Sequence, residues 1–270
     1  MHRPVNDISA IIPARRDEAL SVLPGPADAG VLVLCDHASN AMPEEYAGLG
    51  LPAGELARHI AHDPGAAGVA RHLAALLGAP AVLAGFSRLL IDPNRGLDDP
   101  TLIMRIADGT VIPGNANMDE RERLRRIARF WRAYDDAISD VISRMRATGI
   151  MPLIISVHTF TPVWRGVPRP WHAGILYDPA QPDISPRMIE ALRRRNPDLT
   201  IGANEPYSGG LPGDTLDRHG VRKNLPHTLV EIRQDLVADE AGQRRWARRL
   251  HDALKDVLDA AATTDAHLPA

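Results

Sequence analysis

The sequence of 270 residues is long enough for one large domain with a substantial hydrophobic core. Hydrophobic residues make up 44% and charged residues 24% of the chain, which excludes a disordered protein, a collagen and a coiled-coil rod. With 31 basic and 34 acidic residues the net charge is −3, so the charge gives no reason to expect nucleic acid or an anionic membrane as a partner.

Cysteine usage limits the chemistry that is available. Cys35 is the single cysteine, which excludes an intrachain disulfide and a thiolate zinc cluster and fits a reducing cytosol. No apolar run approaches the roughly 18 uninterrupted residues that a membrane helix needs, and the beginning of the sequence lacks the basic-then-apolar order of a signal peptide. We therefore expect a cytoplasmic protein in which any metal is held by histidine and carboxylate.

The first part of the chain predicts strands and one covering helix. After a lead-in segment at 1–28, the run VLVLC predicts the first strand at 31–35. A stripe of apolar residues predicts a helix at 64–78, and AVLAG predicts a strand at 81–85. The segment SRLLIDPNR at 87–95 predicts a short strand that runs into a loop.

The clearest element is a long amphipathic helix at about 118–148. Asn117 and Glu120 resemble a capping box at its start. Its other face carries interleaved charges of both signs, which favours a solvated surface over a nucleic-acid patch. Its apolar stripe recurs at spacings of three and four and consists of Leu124, Ile127, Trp131, Tyr134, Ile138, Val141 and Met145.

The remaining elements indicate an α/β fold. The run PLIISV at 152–157 is apolar on both faces, as a buried central strand tends to be, and it ends at His158. Because strands alternate with helices and no linker or repeat divides the chain, we expect a single domain over 1–270 with helices on both faces of a sheet. The other predicted elements are strands at 172–177, 199–202 and 228–232, helices at 185–195 and 239–260, and a loose tail at 262–270.

Polar residues lie at or near the ends of three predicted strands. His37 follows the first strand, His158 follows the central strand, and Glu231 lies late in the strand 228–232. Ligands bind at the carboxyl ends of strands in an open α/β sheet, so these side chains converge if the strands are parallel neighbours. Two histidines held by a sheet are half of a zinc site, and we expect a carboxylate to complete it.

Each carboxylate candidate has a plainer alternative. Asp63, in HDPGA, fits a metal ligand or a helix N-cap before Pro64. Glu231 needs a metal, a cation or a catalytic task, because burying an unpaired carboxylate costs on the order of several kcal/mol. Its plain alternative is an ion pair with Arg233, which points to the same side of the strand.

Two further groups could take part in the chemistry. Asn94, Arg95 and the nearby Arg88 offer hydrogen-bond donors to a carboxylate, although loop arginines are more often only solvated. Cys35 could form a nucleophilic pair with His37 or His158. A lone cysteine in an apolar strand is usually a small hydrophobic residue, which disfavours that pair.

Seven motifs, taken in order over about residues 30 to 240, resemble those of the N-formylglutamate amidohydrolase family. This family is related in architecture to zinc carboxypeptidases and to zinc amidases that trim cell-wall peptides. The matching segments are CDHASNAMP, HDPGA, SRLLIDPNR, ISVHTFTP, NEPYSGG, TLDRHG and LVEIRQDL.

The resemblance implies a three-layer α/β/α sandwich with a mixed, mostly parallel sheet, similar to that of zinc exopeptidases. It also implies one zinc ion, or another divalent ion, held by His37, Asp63 and His158. Asn40 and Glu44 lie near His37 in the sequence and are alternatives to Asp63.

The activity that the resemblance implies is metal-dependent hydrolysis of the amide of an N-formyl or N-acyl amino acid, with N-formylglutamate as the leading substrate. Glu231 would move the proton from water to the leaving amine, and Arg88 or Arg95 would donate to the oxyanion. Arg95 and Arg218 would hold the substrate carboxylates. The residues expected to bind substrate are Asn94, Arg95, Gly209, Gly210, Arg218 and Arg233.

We therefore expect a small-molecule substrate as the partner. Two alternatives remain open from the sequence. A zinc amidase acting on a peptide or cell-wall fragment would use the same metal but would need a long groove and export. A non-catalytic protein that binds a small molecule could also retain this scaffold.

Overall fold

The computed structural model describes residues 11–180 and 184–265. The strands are β1 (Ile11–Ile12), β2 (Arg15–Arg16), β3 (Leu20–Leu23), β4 (Gly25–Pro26), β5 (Val31–Cys35), β6 (Ala81–Ala84), β7 (Ile106–Ala107), β8 (Thr110–Val111), β9 (Leu153–Phe160), β10 (Val163–Trp164), β11 (Val167–Pro168), β12 (Ala173–Leu176), β13 (Ile201–Ala203) and β14 (His227–Arg233). The helices are α1 (Ala53–Leu56), α2 (Ala66–Leu77), α3 (Pro113–Ala116), α4 (Glu120–Arg126), α5 (Arg132–Ala147), α6 (Ser185–Arg195), α7 (Thr215–His219) and α8 (Glu240–Asp265).

An eight-stranded sheet organises the fold, in the order β13-β12-β14-β9-β5-β6-β3-β2. The pairs β14–β9, β9–β5 and β5–β6 at its centre are parallel, as is the edge pair β12–β13. The pairs β12–β14, β3–β6 and β2–β3 are antiparallel. The sheet is therefore mixed and mostly parallel, as expected.

Helices cover both faces of this sheet, which confirms the predicted sandwich. In β5, Val31 and Val33 point into a core shared with α2, α6 and α8. The alternate residues Leu32 and Leu34 point into a second core shared with α5. All five β5 residues are buried, because a strand covered on both faces has no solvated side. In the described part of the chain, no helix combines the length and apolar character needed to cross a membrane.

The structure differs from the sequence prediction before Val31, where we expected only a lead-in segment. Residues 20–23 form β3, which pairs antiparallel with β6, and 15–16 form β2 at the edge. Leu20 is fully buried. These strands are only two to four residues long, so their alternation is too short to stand out in the sequence.

The predicted strand in SRLLIDPNR is also wrong. Residues 87–95 form turns, closed by hydrogen bonds such as that from the Leu90 amide to the Ser87 carbonyl. Leu89, Leu90 and Ile91 are nevertheless fully buried. Their burial explains why an apolar run without regular structure resembled a strand.

The long helix is present but interrupted. A π-helical segment, Ile127–Trp131, joins α4 to α5. Because such a segment adds a residue to the turn, it shifts the helical phase, so Leu124 is 53% exposed although the stripe placed it inside. The start also differs, since the N-cap is Asp119, which accepts from the Glu122 amide, and not Asn117.

The C-terminal elements agree with the sequence more closely. The predicted helix at 185–195 has the bounds of α6. The strand β9 continues past His158 to Phe160, and α8 continues through the predicted start of the loose tail to Asp265. The rest of that tail lies outside the described residues.

Candidate active site

The carboxyl ends of three parallel neighbouring strands bring the candidate residues together. His37 lies two positions beyond the end of β5. His158 in β9 pairs in register with Glu231 in β14. The adjacency of β5, β9 and β14 therefore places the three side chains at one edge of the sheet, with directions set by the strands.

Asp63 joins the two histidines in a buried cluster. Its Oδ2 lies 2.9 Å from Nδ1 of His158 and 3.3 Å from Nδ1 of His37. One potential ligand atom from each of the three residues lies within 4.8 Å of the others. All three side chains are at most 5% exposed.

The outer nitrogen of each histidine contacts a further buried carboxylate. Nε2 of His37 lies 2.8 Å from Oδ1 of Asp92, and Nε2 of His158 lies 2.9 Å from Oδ2 of Asp36. Sequence reasoning missed both aspartates. Carboxylates that accept from the second nitrogen of a metal-binding histidine fix its tautomer and ring direction.

This arrangement fits a divalent metal. With the ring proton on Nε2, each histidine turns the lone pair of Nδ1 toward the Asp63 carboxylate, so three acceptors face one another in an arrangement that a cation would stabilise. Two imidazoles and a carboxylate are a common donor set for zinc in catalytic sites. Although burial opposes the charged ring, hydrogen bonds to Asp36 and Asp63 raise the pKa of His158 well above its ordinary value.

The structure also distinguishes Asp63 as a candidate ligand from the alternatives, which were an N-cap role and the residues Asn40 and Glu44. The N-cap of α2 is Gly65 rather than Asp63. The Asn40 amide donates to the Leu56 carbonyl oxygen at an exposed position, and Glu44 is exposed. Asp63 is therefore the residue that the fold places against both histidines.

Glu231 lies beside the cluster and has no ion pair among the described residues. Its Oε2 is a buried atom without a hydrogen-bond partner there. Arg233, its proposed partner, instead bonds to Asp235 at 2.8 Å. Burial raises the pKa of Glu231 to about 7, a value suited to both accepting and returning a proton near neutral pH.

Arg88 brings positive charge to the same site. Its Nε and Nη2 donate to Oδ2 of Asp92, at 3.1 and 2.6 Å. Its Nη1 lies 3.2 Å from Nδ1 of His37 and 3.6 Å from Oδ1 of Asp63. Asp92 therefore holds both a histidine and this arginine, and one guanidinium nitrogen is directed at the cluster.

A cavity of about 270 Å³ opens over these groups. His37, Asp63, His158, Glu231 and Arg88 line one part of its wall. Of the residues predicted to bind substrate, Asn94, Arg95 and Gly209 also line it. The fold thus combines a metal-type donor set, a buried carboxyl group with a raised pKa and a ligand-sized space in one place.

The sequence model of the N-formylglutamate amidohydrolase family matches residues 29–238. The chain belongs to this family. A gene product of Agrobacterium tumefaciens with a solved structure is 34% identical, with a TM-score of 0.82 over 91% of this chain and 97% of that chain. The N-formylglutamate amidohydrolase of Ralstonia eutropha JMP134 shares the fold, with a TM-score of 0.60 and 20% identity over 92% of this chain and all of that chain. No match was found among curated proteins.

Three residues predicted to bind substrate in this N-formylglutamate amidohydrolase family member lie away from the cavity wall. Arg218 donates to Asp135 and to the Pro93 carbonyl, both at 2.8 Å, and stacks on the ring of Trp131. Arg233 is held by Asp235. Neither arginine lines the cavity, and Gly210 next to Gly209 does not line it either.

Cys35 is not placed for nucleophilic chemistry. It is fully buried and belongs to the core formed with α2, α6 and α8. Burial raises the pKa of the Cys35 thiol well above its ordinary value, which disfavours the thiolate that a nucleophile needs. The Cys–His alternative is therefore wrong.

The cavity also contains residues that the sequence analysis did not single out. Tyr207 lies on its wall and accepts a hydrogen bond from Nη1 of Arg169 at 3.0 Å. Asp214 lies on the wall too, and its side chain caps α7 by accepting from the Asp217 amide. Burial raises the pKa of Asp214. Tyr207 lies in the motif NEPYSGG, so the sequence motif could have identified it. Asp214 lies just before the motif TLDRHG and had no such signal.

Proposed function

We propose that this family member is a metal-dependent amidohydrolase that cleaves the amide bond of an N-formyl or N-acyl amino acid. The observation that carries the proposal is the unpartnered Oε2 of Glu231, buried beside the donor set of His37, Asp63 and His158. A buried carboxylate without a partner is costly to the fold. A role in proton transfer during hydrolysis explains why the fold keeps this carboxylate despite that cost.

The dimensions of the cavity support a small-molecule partner. About 270 Å³ has room for a ligand of amino-acid size and is small for a pocket that takes an extended peptide. Arg95 offers a guanidinium to the carboxylate of such a ligand. The cell-wall amidase alternative, which needs a long groove, is less consistent with this space.

His37, Asp63 and His158 would hold the metal, which when bound supplies a Lewis acid for the substrate carbonyl and lowers the pKa of water. Glu231 accepts a proton on Oε2 from the attacking water as the new C–O bond forms. It returns that proton to the amide nitrogen as the C–N bond breaks, so the free amine and formic acid are released, and the acid then loses its remaining proton to give formate. Arg88 donates from Nη1 to the oxygen that gains charge.

The test is formate release from a panel of N-formyl amino acids, measured together with metal content. Glu231→Gln keeps the size of the side chain and removes the basic oxygen. We expect metal to stay bound while kcat falls by roughly 10²- to 10⁴-fold, the usual contribution of general base catalysis. The matched control is Glu190→Gln, the same change at an exposed residue of α6, which should leave turnover unchanged.

Near-normal turnover by metal-loaded Glu231→Gln would show that another group is the base. Tight binding of N-formyl amino acids by the wild type without any formate release would instead support the non-catalytic alternative. Release of amine from cell-wall fragments, with none from N-formyl amino acids, would support the peptide amidase.

A further inference from the structure

The cationic groups on the cavity wall are few. In the described ranges, Arg88 and Arg95 are the arginines that line it, and no lysine does. Arg88 is already neutralised by Asp92 and by its ion pair with Asp63. Burial lowers the pKa of His59, the further histidine on the wall, which favours its neutral form.

Arg95 differs from Arg88 because its guanidinium acts on Asp92 only through charge at longer range. Within residues 11–180 and 184–265 its side chain forms neither a hydrogen bond nor an ion pair, and only its backbone groups have partners. One arginine on the wall is therefore ready to receive an anion from the ligand.

Asp214 adds an acidic side chain to the same wall. Burial raises its pKa, but the Asp217 amide and the charge of Arg218 act in the opposite direction and favour the ionised form. Asp214 is 7% exposed and accepts from the Asp217 amide, but it pairs with no cation in the part of the chain that the structure describes. A ligand that fills the cavity therefore meets an acidic side chain in addition to Glu231.

Two other arginines, Arg218 and Arg169, already have hydrogen-bond partners and do not line the cavity. Arg218 is held by Asp135 and by backbone carbonyls, outside the cavity wall. Arg169 is also off the wall, since its guanidinium lies over the rings of Phe160, Trp164 and Tyr207 and bonds to the Tyr207 hydroxyl. A dicarboxylate ligand would therefore find one arginine side chain without a hydrogen-bond or ion-pair partner on the described cavity wall, that of Arg95, and not one for each of its two carboxylates.

The rest of the wall suits an uncharged group. Phe160, Leu176, Leu211 and Leu229 line the cavity and present hydrocarbon to the ligand. Leu211 is 45% exposed without a ligand, so a bound apolar side chain could cover part of its surface.

From this distribution of charge we infer that the substrate has a single carboxylate, held by Arg95, and an uncharged, apolar side chain. Asp214 is the residue that rejects a second carboxylate. This inference rests on the proposed function and narrows it, because it replaces the N-formylglutamate expected from the sequence with an N-formyl or N-acyl amino acid that has an apolar side chain.

The physical reason is that a second carboxylate would lose its water and gain no cation. An anion placed beside an unpaired carboxylate is disfavoured both by lost hydration and by like-charge repulsion. Specificity of this kind comes from a repulsive element as much as from an attractive one.

The test compares kcat/KM for N-formylleucine and N-formylglutamate. We expect the wild type to favour N-formylleucine by about tenfold or more, since like charges in an interface are strongly disfavoured. Asp214→Asn should raise the value for N-formylglutamate by about tenfold and change that for N-formylleucine much less. Asparagine caps helices as well as aspartate does, so this variant keeps the start of α7.

Asp98→Asn is the matched control, because Asp98 is exposed and does not line the cavity. It should leave the substrate ratio unchanged. A wild type that prefers N-formylglutamate, or a ratio unaffected by Asp214→Asn, would overturn the inference while leaving amide hydrolysis intact.

Calorimetric binding of the same two ligands to Glu231→Gln separates specificity from catalysis. Tighter binding of N-formylleucine supports the inference even if the wild type turns neither ligand over, in which case only the proposed function fails. Equal or weaker binding of N-formylleucine overturns the inference.

Discussion

Asp36 and Asp92 set the ring orientations of His158 and His37. Each accepts from an outer ring nitrogen and so leaves Nδ1 directed at Asp63. Asp36 also accepts from Tyr134, Ser156 and Thr215, which fixes its own position. The donor set is therefore oriented by a buried hydrogen-bond network, which would lower the cost of organising it around a metal.

Asp92→Asn should weaken metal binding. The amide keeps the shape but removes the charge that orients His37 and Arg88, and losses of such partners typically cost roughly 10- to 100-fold in metal affinity. The measurement is zinc affinity by competition with a chromophoric chelator. Asp98→Asn, at an exposed aspartate of the same loop region, is the control and should bind zinc as the wild type does. An unchanged affinity in Asp92→Asn would exclude this orienting role.

The sequence singled out His37, His158 and Glu231 because a polar residue at the end of an apolar strand is conspicuous. Asp36 and Asp92 have no such signal, since their role depends on partners 122 and 55 positions away. The prediction that Arg218 binds substrate is not matched by its position for a related reason. A sequence motif does not show which acid or carbonyl will hold a guanidinium.

The loop that follows β13 reaches the cavity by crossing β12 at Gly174. A Cβ on Gly174 would overlap the carbonyl oxygen of Glu205 in that loop. The loop then carries Tyr207 and Gly209 to the cavity wall. The missing side chain at Gly174 is thus what lets a surface loop approach the strand closely enough to line the site.

Gly174→Ala should destabilise the protein by about 2 kcal/mol or more, as overpacking against a fixed backbone does. Thermal denaturation measures this as a lower Tm. Gly54→Ala in α1 is the matched control, because a Cβ there meets nothing within 4 Å, and it should be neutral or slightly stabilising. Equal Tm values for the two variants would mean that the loop moves away from the new Cβ without loss of stability.

Among the regular elements, those with strong local patterns were predicted best. The bounds of β5 and α6 match the sequence prediction because each is a continuous apolar or periodic segment. The π-helical segment at Ile127–Trp131 was not predictable from a stripe that assumes constant spacing. The short strands β2 and β3 depend on pairing with β6, which local sequence does not show.

The donor set joins parts of the chain that are far apart in sequence. His37 follows β5, Asp63 precedes α2, and His158 lies in β9. A metal bound to all three would therefore cross-link the sheet to the loop that leads into α2. Because the unfolded chain cannot form this donor set, binding should add directly to the stability of the fold.

Zinc at about 100 times its Kd should stabilise the wild type by about 2.7 kcal/mol, which corresponds to a rise in Tm of roughly 5–10 °C for a chain of this size. His158→Ala and Asp63→Asn should lose this response. His251→Ala, at a histidine of α8 outside the cavity, should keep it. An equal zinc-dependent shift in all four proteins would show that zinc acts at another place.

The antiparallel pairing of β3 with β6 covers the backbone edge of β6. The family match covers 29–238 and so leaves out both β3 and α8. A protein trimmed to those limits would expose the backbone edge of β6 to other chains and uncover the core that α2 shares with α8. The segment by which the family is recognised is therefore shorter than the segment that completes the sheet and its core.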